Sequence, residues 1–164
     1  YLRLEVMGWG VRYGQPAVRI SRYTPDAYWF GSRPRILLEL RGARASRLIA
    51  DVMRAAAQYP YPDSYRIWPG PNSNTFTAYL GRQVPELGLE LPAIAIGKDY
   101  LTNGDFLANA PSGTGKQISL YGLAGLTVAV EEGVELNILG LTLGLDLFPP
   151  ALKLPGIGRL GAGM

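Results

Sequence analysis

The feature that most constrains this chain is a rigid stretch from Trp68 to Phe76, with the sequence Trp-Pro-Gly-Pro-Asn-Ser-Asn-Thr-Phe. Its two prolines fix the backbone φ angle and push the residues before them into extended conformations. The polar residues that follow, Asn72, Ser73 and Asn74, are all common helix N-cap residues. Apolar residues then recur at helical spacing, which predicts a helix that ends near Val84 because a proline follows. The stretch therefore brings a small hydroxyl group to a helix N-terminus, where the backbone dipole favours negative charge.

The hydroxyl of Ser73 has two interpretations. A serine nucleophile needs a general base and an oxyanion hole. The chain has no His, so the candidate bases are Lys98, Lys116 and the carboxylates, especially Asp99. A lysine base would need a pKa that burial has lowered. The alternative, which the residues alone favour, is that Ser73 or Asn72 simply caps the helix.

Composition indicates one globular domain over residues 1–164 with a sizeable apolar core. Hydrophobic residues make up 48% of the chain and charged residues 18%, and this balance argues against disorder. There are 21 Gly and 13 Pro, and the last of them make residues 149–164 a Gly/Pro-rich tail. The absence of Cys and His excludes a disulfide framework, a Cys nucleophile and a His base within this chain, and it leaves no predicted metal site or cofactor.

Charge is distributed unevenly along the chain. Residues 1–66 carry eleven Arg and five acidic residues, a net charge of +6, whereas residues 67–164 carry five basic and eight acidic residues, a net charge of −3. The arginines are dispersed, with no basic run and no aromatic-basic register, so we expect no nucleic-acid partner. No apolar run reaches the roughly 18 residues of a membrane span. The chain begins at Tyr1 inside an alternating pattern, so we expect a fragment that lacks an N-terminal segment.

Hydrophobic periodicity predicts strands towards both ends and two helices in the middle. This segregation favours an α+β fold with a mainly antiparallel sheet. The predicted helices cover Ala43–Gln58 and the segment after Asn72. The predicted strands are residues 2–6, 17–20, 35–40, 93–96 and 118–147, with a hairpin turn at 131–133, and residues 101–117 are predicted to form a long irregular loop.

Residues 110–117, Ala-Pro-Ser-Gly-Thr-Gly-Lys-Gln, resemble a phosphate-binding loop. That motif needs a Gly at its first position and a Ser or Thr after the Lys, because this hydroxyl binds Mg²⁺. Ala110 and Gln117 occupy those positions instead. The loop also lacks a predicted strand before it and a predicted helix after it. We therefore interpret it as a flexible loop, with anion binding by its backbone amides as the alternative.

Two further groups of residues could be functional, but each also has an ordinary structural explanation. Glu131, Glu132 and Glu135 could be paired catalytic carboxylates, but they lie at the predicted hairpin turn, where we expect solvated acids. Aromatic residues beside prolines, such as Tyr65 and Trp68, usually anchor a core or a loop, and pocket lining is the alternative.

The central motif also carries a family resemblance. The chain resembles a bacterial family known only as domain of unknown function three-seven-five-zero, and the similarity covers nearly the whole chain. This resemblance identifies a family but no biochemical activity. The motifs that carry it are residues 68–76, Val84-Pro85-Glu86-Leu87, Ala95-Ile96-Gly97-Lys98-Asp99-Tyr100, Ala110-Pro111-Ser112-Gly113-Thr114-Gly115 and Gly133-Val134-Glu135-Leu136.

A more distant similarity concerns Asn72 to Phe76. This run is similar to the Asn-Cys-x-x-Phe signature that opens the nucleophile helix of circularly permuted papain-like hydrolases, which include NlpC-type peptidases, lecithin:retinol acyltransferase relatives and PPPDE peptidases. The resemblance implies a permuted papain-like fold with Ser73 in the nucleophile position. The sequence departs from the signature because Ser replaces Cys and no His is present. In the papain-like group a His on an earlier strand serves as the base. Resemblance to the family of unknown function implies an upstream segment, with a His and a hydrophobic leader, before Tyr1.

Two functions from different classes follow from these residues. The first is hydrolysis or acyl transfer on an amide or ester, with Ser73 as nucleophile and Lys98 and Asp99 beside it. The alternative is a non-catalytic cell-envelope domain that binds a peptide or glycan in the same groove. The expected partner is a peptide, a glycan or a lipid-linked substrate, and a periplasmic or membrane-associated location would depend on the missing upstream segment. The residues expected to line the groove are Tyr65, Trp68, Asn72, Asn74 and Ser112.

Overall fold

The computed structural model describes residues 1–161, which form a two-stranded sheet, two α-helices and a seven-stranded sheet. Both sheets are antiparallel throughout, so the predicted α+β class with two central helices is confirmed. The elements are β1 (Arg3–Val6), β2 (Val18–Ser21), α1 (Gly42–Ala57), α2 (Ser73–Gln83), β3 (Leu107–Asn109), β4 (Gly115–Leu120), β5 (Ala124–Ala129), β6 (Gly133–Ile138), β7 (Leu141–Leu147), β8 (Pro150–Leu154) and β9 (Gly158–Gly161).

The small sheet and the two helices enclose an apolar core. The ring of Tyr59, just after α1, lies edge-on to Phe76 and Tyr79 of α2, with centroids 5.0 and 5.2 Å apart. Edge-to-face packing at this distance is favourable for aromatic rings. The buried residues of this core are Val6, Ala17, Leu48, Ala55, Ala56, Tyr59, Phe76, Tyr79, Leu80 and Val84.

The large sheet is a meander in which β3 to β9 pair in chain order. The β5–β6 hairpin turns at residues 130–132, close to the predicted position. Side chains alternate between the two faces of each strand. In this sheet the polar side chains face the interior and the aliphatic ones face outward. On β6, for example, Glu135 is 1% exposed and its neighbour Leu136 is 45% exposed.

Neither helix has the length and hydropathy that a membrane-crossing helix requires. Four local predictions differ from the structure. Residues 35–40 form no strand, because Ile36 and Leu37 are exposed and no neighbouring strand is in place to pair with them. Residues 93–96 form turns closed by local hydrogen bonds, such as that from the Lys98 amide to the Ala95 carbonyl.

The other two differences concern segments predicted to be irregular. Residues 101–117 contain β3 and the start of β4, which pair with each other. The Gly/Pro-rich tail forms β8 and β9, whose turn includes Gly156 at a φ of 73°. A glycine adopts this conformation without steric cost, so the composition that suggested a loose tail serves a hairpin. Residues 162–164 of the predicted tail lie outside the described part of the chain.

Candidate functional site at the N-terminus of helix α2

Helix α2 is capped by Asn72, so Ser73 is its first helical residue. The Asn72 side-chain oxygen accepts hydrogen bonds from the amides of Asn74 (2.9 Å) and Thr75 (3.1 Å). In return, the Thr75 hydroxyl accepts a hydrogen bond from the Asn72 amide at 3.1 Å. This reciprocal pair satisfies backbone groups that a helix N-terminus leaves without partners. The capping function expected of Ser73 or Asn72 therefore belongs to Asn72.

Residues 96 and 97 are hydrogen-bonded to the N-terminus of α2. The side-chain amides of Asn72 and Asn74 both donate to the Ile96 carbonyl, at 3.1 and 2.9 Å, and the Thr75 hydroxyl donates to the Gly97 carbonyl at 2.8 Å. Gly97 has a φ of 97°, and a Cβ atom there would overlap the Asn72 side chain. A glycine is needed because the backbone approaches the cap so closely.

The Ser73 side chain is half-buried, and its hydroxyl forms no hydrogen bond with any residue of 1–161. Its backbone carbonyl accepts a hydrogen bond from the Thr77 hydroxyl at 2.9 Å. Three cavities, of about 420, 130 and 630 Å³, lie elsewhere on the molecule, and Ser73 lines none of them. The Ser73 hydroxyl therefore has no hydrogen-bond partner within residues 1–161 and lies outside these three cavities.

Several exposed apolar side chains lie near the N-terminus of α2. The indole of Trp68 is half-exposed and donates a hydrogen bond to the Leu139 carbonyl in the β6–β7 turn, at 2.9 Å. Gly140, in the same turn, lies against both Trp68 and Ile96. We call the exposed side chains at this position the tryptophan patch; they are Ile67, Trp68, Ile96 and Leu139.

Lys98 and Asp99 follow this segment in the chain, but their side chains lie in the interior. The Lys98 ammonium forms an ion pair with Glu135 and lies 3.5 Å from Asp99. Burial lowers the pKa of Lys98, but the carboxylates of Asp99 and Glu135 raise it more, so the net pKa lies above its usual value. Lys98 is therefore protonated, which is the opposite of what a lysine base requires.

Asp99 also has hydrogen-bond partners in the interior. Its side chain accepts a hydrogen bond from the Gln117 amide, and burial raises its pKa although the Lys98 ammonium opposes the shift. The Asp99 backbone carbonyl accepts a hydrogen bond from Ser119 at 2.6 Å. Two of the predicted base candidates, Lys98 and Asp99, thus form part of the sheet interior and contribute no hydrogen bond to Ser73. The other named candidate, Lys116, is exposed and donates a hydrogen bond to the Asn109 side chain at 2.8 Å.

The same interior holds an ionic network that the sequence analysis missed. The Lys153 ammonium lies within 2.5 Å of Glu90, 2.9 Å of Asp146 and 3.1 Å of Glu135. Gly144, between Glu135 and Lys153 in the sheet register, provides the space: a Cβ there would lie 3.1 Å from both side chains. The signal was present in the sequence, because polar residues alternate with aliphatic ones along β4 to β8.

The expectation that Glu132 and Glu135 would be solvated is wrong. Both are buried, and Glu132 accepts hydrogen bonds from the Ser112 hydroxyl (2.5 Å) and the Ser112 amide (2.9 Å). Ser112, expected to line a groove, is 2% exposed, and its hydrogen bonds to Glu132 hold the loop before β4 against the β5–β6 hairpin. Residues 115–120 form β4 rather than a helix, which also excludes the phosphate-loop interpretation. Glu131 alone of the three acids is exposed.

The structure therefore brings together only some of the predicted site residues. Trp68, Asn72, Ser73 and Asn74 meet at the N-terminus of α2. Tyr65 is partly buried and packs against the apolar core. Across residues 1–161, no three acidic side chains are grouped so that they could hold a metal ion.

Comparison with known proteins gives a family. Residues 1–100 match the family described as Protein of unknown function (DUF3750). The chain belongs to this family. The match includes the whole stretch from Trp68 to Phe76 and ends at Tyr100, so all seven strands of the large sheet lie beyond the matched residues of this DUF3750 member. No curated protein and no solved structure matches the chain.

Proposed function

We propose that this DUF3750 member is a non-catalytic binding domain that recognises a peptide at the tryptophan patch. The observation that carries the proposal is the half-exposed Trp68, whose indole is held by its hydrogen bond to the Leu139 carbonyl. Trp68 lies five residues before Ser73, whose hydroxyl has no hydrogen-bond partner within residues 1–161. Aromatic residues that are held in place and partly exposed are common anchors for protein partners, since little conformational entropy is lost on binding.

The patch combines apolar and polar groups that suit an extended peptide. Ile67, Trp68 and Ile96 offer apolar surface for side chains. The Ser73 hydroxyl and the Asn74 side-chain oxygen are available to hydrogen-bond a peptide backbone, since neither takes part in the helix cap. Hydrogen bonds to the backbone together with contacts to the side chains are the way in which extended peptides are recognised.

Catalysis is the weaker interpretation because Ser73 has no base within residues 1–161. Lys98 and Asp99 are held by Glu135 and Gln117 in the sheet interior. A serine without a base has an unperturbed, protonated hydroxyl, which is a poor nucleophile at neutral pH.

The proposal is tested with a displayed library of random peptides selected against the immobilised chain. We expect enriched peptides with apolar side chains, whose affinity falls at least about tenfold in Trp68→Ala, a loss of about 1.4 kcal/mol. Trp9→Ala is the matched control, because Trp9 is a more exposed tryptophan outside the patch. A library that yields no binder, or peptides that bind Trp68→Ala as well as Trp9→Ala, would overturn the proposal.

A second candidate function is hydrolysis or acyl transfer on an amide or ester, as in the permuted papain-like hydrolases. One observation favours it: the Ser73 hydroxyl lies at the positive end of α2. A fluorophosphonate probe incubated with the full-length protein distinguishes the two functions. The binding proposal predicts no labelling above that of Ser73→Ala, whereas labelling that depends on Ser73 would establish a reactive serine.

A further inference from the structure

The outer side of the large sheet is covered by exposed aliphatic side chains. Each of them keeps between 40% and 61% of its surface accessible. We call this surface the aliphatic face. Its fourteen large members are Leu107, Ile118, Leu120, Leu126, Val128, Val134, Leu136, Ile138, Leu141, Leu143, Leu145, Leu147, Leu152 and Leu160.

Strand register arranges these side chains in continuous rows. One row runs from Ile118 through Leu126 and Leu136 to Leu143 across four neighbouring strands. A parallel row runs from Val128 to Leu160. Within residues 107–161 the face carries one charged residue, Lys116 on β4, and that ammonium donates a hydrogen bond to Asn109 on the edge strand β3 at 2.8 Å. The centre of the face is therefore free of charge.

The face is large enough for a stable interface between proteins. Seven strands of about six residues span about 30 Å by 20 Å, or about 600 Å² in flat projection. That equals the upper end of the largest apolar patch on a typical monomer, about 300–600 Å². Two such faces in contact would remove at least about 1,200 Å² of surface, which reaches the range of specific interfaces.

We infer that a second copy of this chain covers the aliphatic face, so that two sheets pack face to face about a twofold axis. A flat face of aliphatic rows without charge is self-complementary, and sheets that pack in this way interdigitate about 10 Å apart. The inner side of each sheet is already covered by α2 and residues 88–101, through contacts such as Arg82 to Gln117 and Lys98 to Glu135. The second copy would supply the missing layer.

Charge argues against a lipid surface as the occupant. Surfaces that bind anionic membranes carry Lys and Arg around their apolar centre. Residues 67–164 have a net charge of −3, and Lys116 is the one cation on the face. An apolar surface with so little positive charge suits a second copy better than an anionic bilayer.

Sedimentation equilibrium of the full chain over a range of concentrations tests the inference. We expect twice the mass of the chain, and a dissociation constant at least about 100-fold higher in Leu136→Lys, because two like charges would then lie at the centre of the interface. Ile49→Lys is the matched control, since Ile49 is an exposed aliphatic residue on α1. It should leave the dimer intact, as should Trp68→Ala, because the dimer does not depend on the tryptophan patch.

Cross-linking gives a second readout that does not depend on losing the dimer. The chain has no Cys, so Leu136→Cys introduces a single thiol at the central strand. A short bismaleimide should link Leu136→Cys into dimers and leave Ile49→Cys unlinked. A monomer at all concentrations would overturn the inference, and so would efficient linking of Ile49→Cys alone. A monomer that binds phosphatidylglycerol vesicles through Leu136 would overturn it in favour of a lipid occupant.

Discussion

The two halves of this protein bury opposite kinds of side chain. Around α1 and α2 the interior is apolar, and the aromatic rings of Tyr59, Phe76 and Tyr79 pack edge to face. Under the large sheet the interior is ionic, with Lys98 and Lys153 sharing Glu135. The sheet exposes its aliphatic side chains instead. In both halves the side chains follow the periodicity of the helix or strand. In the large sheet, however, the polar side chains face inward and the aliphatic ones face outward.

This difference indicates which half can be stable by itself. Burial of apolar surface stabilises the helical half directly, at about 25 cal/mol per Å². A buried ion pair gains little net stability, since desolvation of both charges offsets their attraction. The sheet half therefore lacks the usual driving force on its inner side, and the aliphatic face is the place where it could gain one. This reasoning connects the ionic interior to the inferred dimer.

The largest effect should follow from breaking the ionic interior. Glu135→Ala would leave Lys98 and Lys153 short of a buried carboxylate, and we expect the free energy of unfolding in urea to fall by about 4 kcal/mol. Asp51→Ala, which breaks the exposed pair of Asp51 and Arg54 on α1, should cost less than about 0.5 kcal/mol. Equal losses in the two variants would contradict an ionic interior.

A rescue variant sharpens the same comparison. If Lys98 and both of its buried carboxylate partners lose their charge, as in Lys98→Met with Asp99→Asn and Glu135→Leu, no member of this trio is left charged, and Lys153 keeps Glu90 and Asp146 as partners. Replacing a buried ionic triad by apolar residues of similar volume is often neutral or stabilising. We expect the triple variant to recover most of the stability that Glu135→Ala loses, measured by the same urea titration. A triple variant less stable than Glu135→Ala would contradict this explanation.

In the helical half the corresponding loss should come from a cavity. Phe76→Ala would remove a ring that is 3% exposed, and we expect a loss of about 3–4 kcal/mol. Phe148→Ala is the control: its ring is 92% exposed, so the change should stay within about 0.5 kcal/mol. A small loss for Phe76→Ala would mean that the apolar core is not the basis of this half.

The helix cap should have an intermediate effect. Asn72→Ala would remove two accepted hydrogen bonds at the start of α2 and the two that its amide donates to the carbonyls of Ile67 and Ile96. We expect a loss of about 1–2 kcal/mol. Ser73→Ala should change the free energy of unfolding by less than about 0.5 kcal/mol. If Ser73→Ala were the more damaging change, Ser73 rather than Asn72 would be the cap.

The smallest effect concerns pH. Burial, together with nearby Tyr61, Tyr100 and Tyr79, raises the pKa of Tyr59 above its usual 10.0. The unfolded chain therefore loses this proton at a lower pH than the folded chain, so stability is complete below pH 10 and falls as the pH rises above it. The slope is at most about 1.4 kcal/mol per pH unit. Tyr59→Phe should flatten this decline in urea titrations above pH 10 and leave stability at pH 7 nearly unchanged; an unaltered slope would contradict it.

Local sequence patterns predicted the positions of helices and strands better than they predicted which side chains are buried. The periodicity of residues 43–58 predicted α1, and alternation around Glu131 predicted the β5–β6 hairpin. Alternation also shows that Glu135 and Asn137 share one face of β6, but it does not show which face is inward. That choice depends on what covers each face, which in this case is a loop more than thirty residues earlier in the chain.

The site was predictable to the same limited degree. Asn72 and Ser73 are both good N-cap residues. Asn72 is the N-cap because Thr75, at the third helical position, forms the reciprocal hydrogen bonds of a capping box with it. The positions of Lys98 and Asp99 depend on Glu135 and Gln117, which belong to strands far along the sequence. No spacing within residues 68–99 could have indicated that these side chains lie in the interior.

Amine labelling tests the reversed polarity of the sheet most directly, because the chain has three lysines. Lys98 and Lys153 are each 2% exposed, whereas Lys116 is exposed on the opposite side of the sheet. In the folded protein, diluted until it is monomeric, a succinimidyl ester followed by peptide mass spectrometry should modify Lys116 and leave Lys98 and Lys153 unmodified until urea is added. If Lys98 or Lys153 reacts in the folded protein as fast as Lys116 does, the sheet does not have an ionic interior.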